Sequence, residues 1–314
     1  MSRFWLWILL AAPLFAGDPL YELSGRLVPE EHAMVSLFGA TAPFQAATES
    51  DTDGRYRFRN LRAGTYTIAI YVPGHGEARQ TAEVGPGTAD AQRRVNLDLQ
   101  FKESDFVLND AVRRRNSVST RQLAIPDAAL REYQEAVKDL EKHAVDSAVK
   151  RLEHAVELAP QFADAWNNLG TIAYQSQQYE RAEKCFRAAM EQDPRAYEPL
   201  VNLGGVLINT HKLDEALMYN QDAVLLRPND ALANSQLGLA YFVVGNFDLA
   251  VKYLEIGRRI DPAHFSHPQL VLAEIHLRRG ENREAADALE DFLRHHPDFP
   301  TADKIRESIA KLRN

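Results

Sequence analysis

Residues that can carry out acid–base, nucleophilic or metal chemistry occur in this sequence, but they form no complete catalytic set. The chain lacks the phosphate-binding pattern G-x-x-x-x-G-K-[ST], the nucleophile pattern G-x-S-x-G and the zinc pattern H-E-x-x-H. His75 and Glu77 lie close together, but they follow the turn-forming pair Pro73-Gly74, so we interpret this segment as a β-turn. We therefore predict that the protein is not an enzyme.

Two other segments contain metal-ligand residue types. The segment Asp51–Gly54 resembles the start of a calcium-binding loop, but Arg62 stands where a bidentate glutamate is required. His295 and His296 lie at the predicted end of a helix, where polar or cationic residues interact favourably with the helix dipole. We predict neither a metal site nor a cofactor.

Composition argues against further classes of protein. The 314 residues carry a formal net charge of −8, which argues against nucleic-acid binding because such proteins present basic surfaces. The single cysteine, Cys185, excludes an intramolecular disulfide and a multi-cysteine metal site. Because Cys185 lies beside Phe186 in a predicted helix, we interpret it as a small buried residue rather than a reactive thiol.

Residues 1–17 are predicted to be an export signal. Arg3 precedes an apolar run from Phe4 to Ala16, and Asp18 opens the polar part of the chain. This run of thirteen residues is shorter than the about 20 residues with which a helix crosses a bilayer. We expect a cleaved signal, with an uncleaved anchor as the alternative. The mature protein is then expected to be soluble, periplasmic or secreted, and without a stable membrane span.

Residues 20–101 are predicted to form a small all-β sandwich. Apolar and polar residues alternate most clearly over Thr65–Val72 and again over Arg94–Phe101. Pairs such as Ala63-Gly64 and Pro73-Gly74 mark turns between short strands, which is typical of an antiparallel sandwich. Shorter candidate strands are Leu23–Val28, Met34–Phe38 and Tyr56–Phe58.

The region around Thr52–Gly74 resembles the carboxypeptidase regulatory-like family. The matching features are an Asp53-Gly54 turn before an aromatic strand, the pair Asn60-Leu61, and Gly64-Thr65-Tyr66 opening the next strand. This resemblance implies a non-catalytic sandwich domain of the transthyretin-like type. Residues 102–126, with the basic run Arg113–Arg115, are predicted to be a linker; a solvated connector is the simpler interpretation, and binding of an anion or acidic partner is the alternative.

The strongest pattern in the sequence is a repeat of about 34 residues. Proline ends a helix, and small residues at the crossing point let two helices pack closely, so the repeat predicts stacked antiparallel helical hairpins. We expect five hairpins over residues 127–298 and a capping helix over 299–314. The repeated positions are Pro160, Pro194, Pro228, Pro262 and Pro297; Ala148, Ala182, Ala216, Ala250 and Ala285; and Ala136, Gly170, Gly204, Gly238 and Ala273.

The unit from Ala163 to Pro194 resembles the tetratricopeptide repeat (TPR). It carries the spacing W-x2-L-G from Trp166, then A-x3-F from Ala182, then the final proline, with Ala173 where tyrosine is usual. The resemblance implies a right-handed superhelix, or α-solenoid, whose first helices line a concave peptide-binding groove.

Polar and aromatic residues of the first helices are the predicted peptide-binding groove. Asparagine side chains can bond an extended peptide backbone, and aromatic rings can supply apolar contacts. The alternative for Asn168, Asn202 and Gln236 is that their amides hold neighbouring repeats together. The predicted groove residues are Asn167, Asn168, Thr171, Tyr174, Asn202, Gln236 and Phe242.

The sequence thus predicts an exported, non-enzymatic adaptor that binds a protein or peptide in the concave groove of its helical array. The alternative is carbohydrate or cell-wall binding through the β-sandwich, with the array as a scaffold. That alternative depends on aromatic faces at Tyr71, which we expect to be exposed, and at nearby Tyr56. An enzyme is the least supported function, because no acid, base and nucleophile cluster together.

Overall fold

The computed structural model describes residues 19–29, 31–102, 105–106, 124–194 and 196–313. The predicted export signal and most of the predicted linker, with Arg113–Arg115, lie outside these residues. Within the described residues, eight strands are followed by eleven helices. This arrangement confirms the predicted fold class, a small all-β sandwich followed by an all-α superhelical array.

Two sheets of four strands each make up the sandwich. In one sheet the order is β3-β2-β5-β6 and all pairs are antiparallel. In the other, β1 pairs with β4 antiparallel and with β7 and β8 parallel. The strands are β1 Tyr21–Val28, β2 Met34–Gly39, β3 Gln45–Glu49, β4 Arg55–Leu61, β5 Gly64–Val72, β6 Gly76–Val84, β7 Arg94–Asn96 and β8 Leu99–Gln100.

The core of the sandwich follows the alternation of its strands. On β5, Tyr66, Ile68 and Ile70 are buried between the sheets, whereas Thr67 and Tyr71 on the other face are half-buried. Successive side chains of a strand point to opposite faces, so one face of each sheet supplies the core. The outer face of the β3-β2-β5-β6 sheet therefore carries the polar residues.

The single strand expected over Arg94–Phe101 is wrong, because the structure divides it into β7 and β8. Asp98 Oδ1 accepts a hydrogen bond from Arg26 N at 2.9 Å, and a side chain thus replaces a ladder carbonyl. The Leu97 carbonyl turns toward Tyr56 instead, whose hydroxyl donates to it at 2.6 Å. The expected aromatic face at Tyr56 is also wrong, since this side chain lies in the sandwich core.

Helices alternate along the rest of the chain as five antiparallel hairpins and a final helix. The first helix of each hairpin has an odd number, and the second has an even number. The helices are α1 Asp127–Glu141, α2 Val145–Leu158, α3 Ala163–Gln175, α4 Tyr179–Gln192, α5 Tyr197–Asn209, α6 Leu213–Leu226, α7 Ala231–Val243, α8 Phe247–Ile260, α9 Pro268–Arg279, α10 Asn282–His295 and α11 Ala302–Arg313.

Small residues of the repeat lie where the two helices of a hairpin cross. A Cβ atom added at Gly170 would lie 2.5 Å from Phe186 Cε1, and one added at Gly238 would lie 2.7 Å from Leu254 Cγ. Such close approach leaves no room for a larger side chain. The alanines of the second helices are fully buried at the same interfaces, which explains why both columns recur with the repeat.

Candidate functional site

The sandwich lies against the side of the array that the first helices form, and a cavity of about 1220 Å³ remains between them. One wall is the outer face of the β3-β2-β5-β6 sheet, with Phe38, Thr67 and Arg79. The other wall comes from α3, α5 and α7. The helical groove predicted from sequence is thus partly filled by another domain of the same chain.

Six of the seven predicted groove residues are brought together at this cavity. Phe242 is the exception, since its ring packs 5.9 Å from the ring of Phe247 on the second helix of its own hairpin. The Arg278 guanidinium lies 4.8 Å above the Phe242 ring. The residues that line the cavity are Asn167, Asn168, Thr171, Tyr174, Asn202 and Gln236.

Side-chain amides form links between successive repeats along this wall. Asn202 Nδ2 donates to Asn167 Oδ1 at 3.2 Å, and Asn168 Nδ2 lies 3.3 Å from the Tyr133 hydroxyl. Asn168 Nδ2 also lies 3.4 Å from Gln45 Oε1 on β3, so this amide reaches the sandwich as well. These side chains hold neighbouring hairpins together and remain available at the cavity surface.

Tyr174 and Gln175 extend the wall toward the end of α3. The Tyr174 hydroxyl accepts a hydrogen bond from Asn209 Nδ2 at 3.2 Å, and burial raises the pKa of this hydroxyl. Gln175 Nε2 donates to the Gly39 carbonyl at 2.8 Å, which attaches the second hairpin to the end of β2. In the first hairpin, the His143 ring packs 5.1 Å from the ring of Phe44 in the sandwich.

A network of four charged side chains joins β6 to the third hairpin. Arg79 Nη2 donates to Glu198 Oε1 at 2.9 Å, and Arg79 Nε donates to Glu77 Oε1 at 2.6 Å. Arg227 lies 3.4 Å from Glu198 and 3.9 Å from Glu77, and it stacks on the ring of Tyr197. Burial opposes the charge on Glu198, but Arg79 and Arg227 outweigh burial and lower the pKa of its carboxyl.

The fourth and fifth hairpins hold the rest of β6. Thr81 N donates to Asp261 Oδ2 at 2.9 Å in a buried environment. His296 Nδ1 lies 3.0 Å from Glu83 Oε1, and the His296 side chain is almost fully buried. Just beyond β6, Gly87 N donates to Asp298 Oδ2 at 2.6 Å. All five hairpins therefore contact the sandwich.

The other residues that the sequence analysis considered for chemistry lie in turns or in the packed core. Asp51 Oδ1 accepts from the backbone N–H groups of Asp53 and Arg55, which closes the turn before β4. His75 lies in the turn between β5 and β6. Burial raises the pKa of the Cys185 thiol, as expected for a packing role. Over the described ranges, no three His, Cys, Asp or Glu side chains are grouped to hold a metal ion.

Family models match most of the described chain. The carboxypeptidase regulatory-like domain matches residues 23–100, the middle TPR-like domain of cilia and flagella-associated protein 70 matches residues 141–267, and the tetratricopeptide repeat matches residues 270–306. The chain is a tetratricopeptide repeat protein with a carboxypeptidase regulatory-like domain. The sandwich is hereafter the regulatory-like domain, and the helical array is the TPR array.

Relatives and solved structures each match part of this chain. The human cell division cycle protein 16 homolog is 32% identical over 125 residues, which cover 36% of this chain and 20% of that protein. The peroxisomal targeting signal receptor of Candida albicans is 26% identical over 76% of this chain and 40% of its own length. This chain thus spans well under half of either relative.

Among solved structures, PilW, a type IV pilus biogenesis factor, has a TM-score of 0.52 at 20% identity. The match covers 60% of this chain and 89% of PilW. At this identity the likeness shows the fold alone. Over the part of the chain that the structure describes, no helix is long and apolar enough to cross a membrane.

Sequence reasoning missed Arg227 and Asp261 as residues of the TPR array that hold β6, and it interpreted His296 only as a helix-end residue, whereas His296 pairs with Glu83. Arg227, Asp261 and His296 each follow the second helix of a hairpin and directly precede a proline of the repeat. Their shared position is a signal that the sequence contains, because the proline column fixes their register. The sequence does not show, however, that this column faces another domain.

Proposed function

We propose that this protein is an exported, non-enzymatic adaptor that binds a protein or peptide between its TPR array and its regulatory-like domain. The observation that carries the proposal is the cavity of about 1220 Å³, which six of the seven predicted groove residues line. Pockets for small molecules usually measure about 300–1,000 Å³, so a peptide segment suits this cavity better than a metabolite.

Hydrogen-bonding groups at the cavity favour a ligand that carries N–H donors. Thr81 Oγ1 and Gln236 Oε1 are buried oxygens without a hydrogen-bond partner among the described residues, and both residues line the cavity. Buried oxygens are normally paired, so either side chain would gain a hydrogen bond if it turned toward the cavity and accepted from an amide N–H of a bound peptide. Asn167 and Asn202 offer further donors and acceptors on the same wall.

Comparison with relatives supports binding rather than catalysis. The Candida albicans relative, which aligns with 76% of this chain, is by its name a receptor for a targeting signal. A targeting signal is a segment of another protein, and this is the kind of ligand that we assign to the cavity. The carbohydrate alternative loses support, because Tyr56 is buried in the sandwich core and its hydroxyl donates to the Leu97 carbonyl.

The proposed location at the cell envelope depends on the apolar run from Phe4 to Ala16. If this run directs export, the protein will be recovered outside the cytosol and its N-terminus will begin near Asp18. N-terminal sequencing of the protein from the envelope fraction measures both. Recovery of the intact chain from the cytosol would contradict export and leave the binding site unaffected.

Binding at the cavity is tested by the triple substitution Asn167→Ala, Tyr174→Ala and Asn202→Ala. The tagged full-length chain is used to capture partners from envelope extract, and we expect the triple variant to recover at least about ten-fold less, or about 1.4 kcal/mol. Phe242→Leu is the matched control, because this residue was predicted in the groove and lies outside the cavity. Equal recovery by a folded triple variant would refute binding at this cavity.

A further inference from the structure

The TPR array contacts strand β6 at every second residue, through three side chains of one face and one backbone N–H at the strand edge. Side chains at positions i, i+2, i+4 and i+6 of a strand point the same way. Each of these four positions meets one group of the array. In strand order, Glu77 meets Arg227, Arg79 meets Glu198, Thr81 N meets Asp261 Oδ2, and Glu83 meets His296.

The order of the repeats matches the order of residues along the strand. The seven residues 77–83 span about 20 Å, in six steps of about 3.3 Å. Arg227, Asp261 and His296 occupy the same position in three successive hairpins. They contact residues 77, 81 and 83 of β6 in turn, and Glu198 of the third hairpin contacts residue 79. The array therefore meets the extended strand in sequence order.

The backbone of β6 is held as a strand edge. β6 is the outermost strand of its sheet. In an antiparallel pair, every second residue of such a strand directs its backbone N–H and C=O groups away from the neighbouring strand. Asp261 accepts the outward N–H of Thr81, in the place that the carbonyl of an added strand would take. The array therefore recognises both an extended backbone and the charges along it.

Most of the described contacts between the two domains are polar, apart from the ring contact of His143 with Phe44, and they leave a large cavity. Each hydrophobic cluster found among the described residues belongs either to the sandwich or to the array, and none includes both. Ion pairs that are largely desolvated contribute little net stability, and interfaces of this polar kind usually allow domain motion. Docking of β6 is thus suited to exchange with a competing strand.

We infer that the column Arg227, Asp261 and His296, with Glu198, is a binding site for an extended strand of the pattern acid-x-base-x-any-x-acid. β6 is the built-in ligand of this site, and a partner strand with the same pattern displaces it. This inference goes beyond the proposed function, because the partner strand takes the place of β6, whereas a ligand of the cavity binds while β6 stays docked. It uses residues that the cavity test does not change.

The probe is a blocked, fluorescent peptide with the sequence of β6, Gly76–Val84. It is titrated by anisotropy into the full-length chain and into the variant Glu77→Gln/Glu83→Gln, whose own strand is held less well. We expect the peptide to bind the variant at least about ten-fold more tightly than the wild type. A matched peptide with glutamine at both acidic positions should bind the variant at least about ten-fold more weakly.

Equal binding of the two peptides, or no binding to a variant that keeps its helical circular dichroism, would overturn the inference. If the variant fails to fold, hydrogen exchange of wild-type β6 is measured with and without saturating peptide; exchange at Thr81 rises only if the strand is displaced. Sedimentation of the wild-type chain tests whether β6 of a second copy occupies the site instead. A wild-type dimer that dissociates when the peptide is added would show that a second copy is the ligand, and it would contradict an external partner.

The cavity variant separates this inference from the proposed function. Glu198, Arg227 and Asp261 line the same cavity, but the side chains of Asn167, Tyr174 and Asn202 form no described hydrogen bond or ion pair with them or with His296. The chain with Asn167→Ala, Tyr174→Ala and Asn202→Ala should therefore bind the β6 peptide as the wild type does. If this variant loses partner capture and still binds the peptide, the result supports both the cavity site and the strand site. If it still captures the partner, binding at the cavity is refuted; the strand site is decided by the peptide titrations alone.

Discussion

Asp261 provides a sharp test of how the TPR array holds the regulatory-like domain. Its Oδ2 accepts the buried backbone N–H of Thr81 at 2.9 Å, and its Oδ1 accepts from Ala263 N at 3.2 Å. Asp261→Ala leaves the Thr81 N–H without a partner, and an unsatisfied buried donor costs about 1–3 kcal/mol. This cost should fall on the docked state, since the undocked strand bonds to water.

A change of about 1–3 kcal/mol increases the undocked population by about 5- to 150-fold, because 1.4 kcal/mol is a factor of ten. Native-state hydrogen exchange of the full-length chain measures this population through the protection of β6 amides. We expect protection at Thr81 to fall by at least about five-fold in Asp261→Ala. Asp261→Asn is the matched control, since its side-chain oxygen can still accept the hydrogen bond.

Unchanged protection at Thr81 in Asp261→Ala would refute the reasoning, because it would mean that the array does not protect this amide. A similar loss in Asp261→Asn would show that the negative charge, and not the acceptor, is required. Asp298 supplies an internal comparison, since its contact with Gly87 N is exposed and water can replace it. Asp298→Ala should therefore change exchange less than Asp261→Ala.

Two other predictions concern the stability of the array. Gly170→Ala gains about 1 kcal/mol of helix propensity but places a methyl group against buried Phe186, at a cost of about 1–3 kcal/mol, so urea denaturation should show a net loss of stability. The same substitution should cost less in a Phe186→Leu background, and a gain in stability in the wild-type background would contradict the close packing. Burial, with His296 and His264 nearby, lowers the pKa of His267 to about 3. Its unfolded state therefore binds more protons between pH 6.5 and about 3, and stability should fall with decreasing pH by up to about 1.4 kcal/mol per unit. His267→Asn, which tolerates the φ of 50° at this position, should reduce this slope, and an unchanged slope would be the contrary result.

The helical wall of the candidate cavity could be predicted in large part from the repeat register, whereas the wall formed by the sandwich could not. Asn168 and Asn202 lie on first helices at equivalent positions of successive repeats, so the register places them on one side of the array. Phe242 was expected there by the same rule, but it lies at the end of α7, where Phe247 and Arg278 cover its ring. Packing against α8 of its own hairpin and against α9 of the next hairpin decided this position, and a repeat pattern does not contain that information.

The sequence by itself determined the helical hairpins and the sandwich core, because both depend on short-range sterics. Close crossings at Gly170 and Gly238 and the buried alternation of Tyr66, Ile68 and Ile70 follow from neighbours in the same repeat or strand. The alternation of apolar residues along a strand and the columns of small residues in the repeat result from these contacts. Both elements could therefore be predicted without a structure.

Only the tertiary structure decided that the array holds β6. The contacts of Arg79 with Glu198, Thr81 with Asp261, and Glu83 with His296 join residues 119, 180 and 213 positions apart. Each is a polar contact of modest net energy, and no apolar pattern marks either partner. Their positions depend on how two separately folded domains are oriented, and a one-dimensional sequence pattern does not specify that orientation.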